Sequence, residues 1–234
     1  MIMPRNRYRC VLAGALALVM LPDLVQGRMH RLLDITGWQE ITFDGKTPNE
    51  FRPTSDGGIQ VESRQSVSVL QRPLMVDIAD KPILRWRWRV DRAAPASDLS
   101  AKGGDDRSLV IYVAFPFVET EANLFERVKR SIVESVAGED APGRILSYVW
   151  GGEGARGDLV PSPYYGDAGI QKILRPADSP TGAWFEEAVD VAADYRATFG
   201  SEPPDPMNIA ISADSDDTGT VVAATVVDLA FQSR

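Results

Sequence analysis

Along much of the chain, apolar and polar residues alternate with a period of two, the pattern of strands with one face buried. Residues 81–91 alternate strictly, with Leu84, Trp86, Trp88 and Val90 on one face and Arg85, Arg87 and Arg89 on the other. Residues 207–213 repeat the pattern through Met207, Ile209, Ile211 and Ala213. Residues 108–117, 144–150 and 220–231 are rich in β-branched and aromatic side chains. The first of these runs is apolar on both faces, as a central strand requires, and the last reads as a long buried strand. Clusters of Gly, Pro and Asp at 44–49, 53–58, 95–106, 151–169 and 200–206 divide these runs.

Two segments change period. Between Glu119 and Gly138, residues Leu124, Phe125, Val128, Ile132 and Val136 recur at helical spacing, with charged residues opposite. Residues 190–199 form a shorter helical stretch, ended by Gly200 and followed by Pro203 and Pro204. Many short strands with Gly/Pro turns predict a mainly-β fold, an antiparallel β-sandwich of the jelly-roll or lectin-like kind with two peripheral helices. No repeat or linker divides it, so residues 28–234 read as a single sandwich domain.

The N-terminus has a different character. Three arginines precede the eleven-residue apolar run at 11–21, and Val25 and Gly27 precede a possible cut. This is the layout of a secretory signal peptide over residues 1–27, and it is shorter than the roughly 20 apolar residues a membrane span needs. The expected location is the periplasm or outside the cell, with no stable membrane span in the mature chain. Cleavage would move the net charge from −8 to −10, by removing Arg5, Arg7, Arg9 and Asp23. Such an acidic chain repels phosphate, so nucleic acid is not an expected partner.

The 234 residues hold one cysteine, Cys10, and one histidine, His30, both in or beside that N-terminal segment. A Ser-His-Asp triad, a Cys-His pair, the usual zinc ligands and a structural disulfide are therefore not expected. Chemistry falls to carboxylates, Tyr, Lys, Arg, Ser/Thr or a hard metal held by oxygen. Asp214-Ser-Asp216-Asp-Thr218-Gly219 offers oxygens at alternate positions before a glycine, the opening of a calcium loop. It is not an EF-hand, because the twelfth position is Thr225 and both flanks are strands. Asp214, Asp216 and Thr218 remain metal-ligand candidates, with Ca²⁺ the cofactor they would suit; a hairpin loop of ordinary turn residues is the alternative.

Lys102-Gly-Gly-Asp105-Asp106 is a second acidic loop. If Asp105 or Asp106 met Asp214 or Asp216, the cluster could hold a cation, or act as a carboxylate pair in acid–base catalysis. Arg85 and Arg87, with Arg89, could grip an anionic ligand, or pair with acids on neighbouring strands. Tyr164 and Tyr165 lie in a Gly- and Pro-rich segment, 148–165, with Tyr148 and Trp150, and could form a platform for sugar rings. Tyr195, beside Asp194, is expected to dock the short helix.

Several segments in order resemble one bacterial family, domain of unknown function 3047. They are LRWRWRVD at 84–91, KGGDD at 102–106, APGRILSYVWG at 141–151, WFEEAVDVAADYRATFG at 184–200 and MNIAISADSDDTG at 207–219. The resemblance spans roughly 35–232 and implies a secreted, lectin-like β-sandwich without an assigned activity. The chain departs from that pattern at Val110 and Val189, where the family tends to carry arginine. The function expected is ligand binding, with a carbohydrate or envelope glycan as partner and calcium as an aid. The alternatives are a carboxylate-based glycoside hydrolase or lyase using Asp105, Asp106, Asp214 or Asp216, and a structural module of the envelope. The separation of the two acidic loops decides among them.

Overall fold

The computed structural model describes Leu33 and residues 37–118 and 142–234. The expected helix at 119–138, the 1–27 segment, Cys10 and His30 lie outside the described residues. In chain order the strands are β1 (Gln39–Thr42), β2 (Glu50–Pro53), β3 (Ile59–Arg64), β4 (Val67–Pro73), β5 (Ile83–Arg92) and β6 (Arg107–Phe115). There follow β7 (Arg144–Trp150), β8 (Leu159–Ser162), β9 (Gly166–Arg175), β10 (Phe185–Asp190), helix α1 (Val191–Phe199), β11 (Asn208–Asp214) and β12 (Val221–Gln232).

The strands make two sheets packed face to face. The large sheet has the order β1-β4-β11-β6-β7-β9-β8, and the small one β10-β5-β12-β3-β2. The expected sandwich is present, with one departure from antiparallel pairing: β7 and β9 run parallel. After β7 the chain runs back through β8 at the edge, and β9 then inserts between β7 and β8.

The alternation in β5 does what its pattern requires. Leu84, Trp86, Trp88 and Val90 are buried between the sheets, while Arg85 and Arg87 face water. Trp86 meets Tyr148 of β7 with ring centroids 5.8 Å apart, and Trp88 meets Trp150 at 5.5 Å. Tyr148 and Trp150 thus belong to the core rather than to a surface platform. β6 is the middle strand of the large sheet and is apolar on both faces for two reasons. Leu109, Ile111, Val113 and Phe115 face the small sheet, while Val110 packs with Val149, Ile173 and Leu99 on the outer side. Val110 and Val189, the two departures from the family pattern, are both buried.

Helix α1 is capped at both ends. Asp190 accepts from the Ala193 amide at 2.8 Å, and Gly200 takes the left-handed conformation (φ 75°) that ends the helix. Tyr195 docks it, as expected: its ring packs on Phe115 at 4.6 Å, and its hydroxyl accepts from Arg144 at 2.9 Å. No helix among the described residues is long and apolar enough to cross a membrane.

One topological feature positions the site. Several connections cross between the sheets, and three of them build the site: 65–66 from β3 to β4, 93–106 from β5 to β6, and 215–220 from β11 to β12. The register places all three at one end, because Asp214 pairs with both Val67 and Arg107, and Val221 with Arg64. The 214–219 segment is therefore a crossover between sheets and not the hairpin that its turn residues offered as the alternative to a calcium loop. A buried polar floor underlies it. Ser63 Oγ and Ser215 Oγ are 2.6 Å apart, Ser66 donates to Asn49 Oδ1 at 2.8 Å, and Asn49 Nδ2 donates to the Ala213 carbonyl at 2.8 Å.

Candidate functional site

The two acidic loops meet. The Thr218 amide and hydroxyl both donate to Asp106 Oδ2, at 2.7 and 2.5 Å, and the Asp217 amide donates to Oδ1 at 3.3 Å. Asp106 is fully buried and fixes the crossover in place. Asp105 is buried as well, so the 102–106 segment delivers its acids inward rather than to water. Arg107, the first residue of β6, sits between acids. It donates to Asp105 Oδ2 at 3.1 Å and to Gln171 at 3.0 Å, and it lies 3.5 Å from Asp214 Oδ2. Gln171 in turn donates to the Leu99 carbonyl at 2.8 Å, which ties the 93–106 connection down onto β9.

Tyr164 joins this cluster from the other side. Its hydroxyl donates to Asp105 Oδ1 at 3.2 Å, and Lys102 Nζ lies 5.6 Å from its ring centre. The ring is nonetheless 59% exposed, and its neighbour Tyr165 is 50% exposed. Tyr165 rests on Gly169, where a β-carbon would approach its own Cβ to 2.7 Å. Lys46, in the loop between β1 and β2, bonds Asp216 and lies 4.0 Å from Asp217.

Electrostatics follow from this crowding. Burial, with help from Asp216 and Asp106, pushes the Asp214 carboxyl well above the ordinary range, against the pull of Arg107. Burial also works to raise Asp216, but contact with Asp214 and Lys46 outweighs it and holds that carboxyl low. Burial and the charges of Asp216 and Asp106 raise Asp217. Burial penalises the Arg107 cation, yet its surroundings, with the charges of Asp214 and Asp105 and the hydrogen bond to Asp105, outweigh that penalty and hold its proton more firmly than usual. Burial, and then Asp105, push the Tyr164 hydroxyl up to about 12.

Two polar atoms in this cluster are buried without a hydrogen-bond partner: Arg107 Nε, a donor, and Asp214 Oδ1, an acceptor. Carboxylate oxygens of Asp106, Asp216 and Asp217 lie within 4.8 Å of one another and could hold a metal ion. This trio differs from Asp214, Asp216 and Thr218, because the Thr218 hydroxyl is committed to Asp106.

The arginine column is elsewhere, on the outer face of the small sheet. Arg85 pairs with Glu186, Arg87 with Asp228 at 2.7 Å and Arg89 with Asp91 at 2.9 Å. Trp184 covers Arg87 and Arg89, with its ring centre 5.5 and 5.1 Å from their guanidinium carbons. Sequence reasoning singled out Asp105, Asp106, Asp214, Asp216 and Tyr164 separately, and the fold brings them to one end. That reasoning passed over Arg107, Gln171, Tyr112, Asp217 and Lys46. Arg107 and Asp217 had a signal, each adjoining an acidic pair already singled out, whereas Lys46 lies in a loop with none.

A family model described as protein of unknown function, DUF3047, matches residues 36–230. The chain belongs to that family. Among curated proteins, none matches it. Solved structures similar to this DUF3047 chain include the family 11 carbohydrate-binding module of the cellulosomal cellulase Lic26A-Cel5E of Clostridium thermocellum. Identity to it is 8%, the TM-score is 0.43, and the alignment covers 88% of this chain and 94% of that one. Another is the xyloglucanase domain of NopAA, a type three effector from Sinorhizobium fredii, in complex with cellobiose. Here identity is 8%, the TM-score is 0.46, and 84% and 93% of the two chains are covered.

Proposed function

We propose that this DUF3047 chain is a carbohydrate-binding protein, that its ligand is an envelope glycan, and that Ca²⁺ held by Asp106, Asp216 and Asp217 orders the site. The observation that carries the reading is Tyr164: a mostly exposed ring whose hydroxyl is anchored on buried Asp105. An exposed aromatic fixed in place offers a flat apolar face to the C–H side of a sugar ring. Beside it, the Arg107 Nε donor and the Asp214 Oδ1 acceptor both lack partners. The excess of carboxylates over cations suits an oxygen-ligated calcium ion.

Binding of the purified full chain to a glycan array, followed by titration of the best glycan, tests this. Tyr164→Ala with Tyr165→Ala is expected to weaken that binding by at least about tenfold, the equivalent of losing one aromatic contact. A chain that retains no glycan, or binding that the double substitution leaves unchanged, overturns the proposal.

A further inference from the structure

Away from the crossover end, the outer face of the small sheet carries an exposed ring of its own. We infer that Trp184, Asp228 and Arg87 form a second glycan contact on this face, one that takes a neutral sugar chain. It shares no residue with the Tyr164 end.

Three observations lead there. Trp184 precedes β10, with its ring centre 5.1 Å from the Arg89 guanidinium carbon and 5.5 Å from that of Arg87, and it is still 37% exposed. Two cations hold the indole in place without covering it, so it offers a fixed apolar surface to the C–H side of a sugar ring.

Asp228 supplies the second observation. Val227 of β12 pairs with Arg87 of β5, and Ala230 with Arg85, so three steps on β12 match two on β5 and one extra residue bulges. Asp228 takes a left-handed conformation there (φ 56°). Glycine is the residue that suits such a bulge, because a β-carbon is disfavoured at positive φ. Aspartate in its place carries a conformational cost, and what it adds is a carboxylate on the outer face.

The third is the state of that carboxylate. Arg87 Nε donates to Asp228 Oδ2 at 2.8 Å, and Arg87 Nη2 lies 2.7 Å from the same oxygen. Oδ1 is left to accept from outside, and both side chains are about half exposed. A carboxylate oxygen and a guanidinium side by side suit the hydroxyls of one sugar, accepting from one and donating to the next. A neutral chain leaves the ion pair intact. A carboxylated chain would have to take Arg87 from an aspartate that the bulge holds in place, and it would approach a protein of net charge −8.

The test is an array of neutral and uronate-bearing oligosaccharides, incubated with the full chain as wild type, Trp184→Ala, Asp228→Gly, and Tyr164→Ala with Tyr165→Ala. Trp184→Ala is expected to weaken binding to neutral oligosaccharides at least about tenfold. Asp228→Gly is expected to weaken it at least about fivefold, while its urea midpoint stays at or above that of wild type, because glycine suits the bulge. Should Trp184→Ala fail to fold, Asp228→Gly decides alone. If a folded Trp184→Ala or Asp228→Gly binds as wild type does, this inference is overturned, and the Tyr164 reading stands or falls by the tyrosine variant. Binding confined to uronate-bearing glycans overturns the neutral assignment. Binding to no glycan at all overturns both this contact and the one at Tyr164.

Discussion

Two clusters of buried charge among the described residues hold their ions in opposite ratios. Glu187 of β10 points inward between the sheets, and its carboxylate is almost completely buried. Two arginines serve it: Arg156 Nη2 at 2.7 Å and Arg175 Nε at 2.6 Å, the latter also lying 4.1 Å from the Phe185 ring centre. One acid has a surplus of cations, Arg175 from β9 and Arg156 from the loop after β7, and both of its carboxylate oxygens are bonded. At the crossover end, Asp105, Asp106, Asp214, Asp216 and Asp217 share Arg107 and Lys46. Orphaned atoms remain there and carboxyl protons are displaced from their usual range. The first cluster is a clasp between sheets. The second has more acids than cations and leaves two buried polar atoms, Arg107 Nε and Asp214 Oδ1, without a partner.

The sharpest way to break this comparison is to remove one arginine from each side. Arg107→Ala leaves Asp105 and Asp214 buried without a cation and is expected to cost about 3–5 kcal/mol in urea denaturation. Arg156→Ala leaves Glu187 still held by Arg175, and the arginine removed is 53% exposed. Its cost is expected to be only about 1 kcal/mol. Equal losses would erase the distinction between clasp and site. A smaller effect comes from Asp217→Asn, which relieves crowding among like charges. Stability in EDTA is expected to stay within about 1 kcal/mol of wild type, with a shift upward at low salt that fades as salt is added. A clear loss of stability would mean that Asp217 is structural.

The finest test concerns Tyr164. Its raised pKa means that the protonated hydroxyl favours the fold fully below pH 10, with that contribution lost as the pH rises toward 12. The phenolate absorbance that Tyr164→Phe removes is therefore expected to develop near pH 12. Its appearance near pH 10 would show that the ring is not held against Asp105.

The sequence pattern located β5, β6, β7, β11 and β12 to within a few residues, because each carries a buried face or two. β1 and β2 escaped it for a physical reason. They are short edge strands, and the four residues of β1 are all exposed, so no alternation marks them. β8 and β9 were hidden within and beside a glycine-rich stretch, where hydrophobic signal is thin. The acidic residues and Tyr164 were legible from composition and turn chemistry alone. Their meeting was not, because it depends on the register of β11 against β6, which local pattern does not encode. Lys46 shows the limit most clearly. An exposed lysine in a loop acquires meaning only from what the fold brings beside it.

The crossover end also has a consequence in time. Arg107 and Asp214 lie 107 positions apart along the chain, Thr218 and Asp106 112, and Lys46 and Asp216 170. Contacts of such long sequence separation form only after distant stretches have already found one another, and chains dominated by them fold in milliseconds to seconds rather than microseconds. The contacts at this end therefore cannot form until the chain has been made as far as residues 214–218.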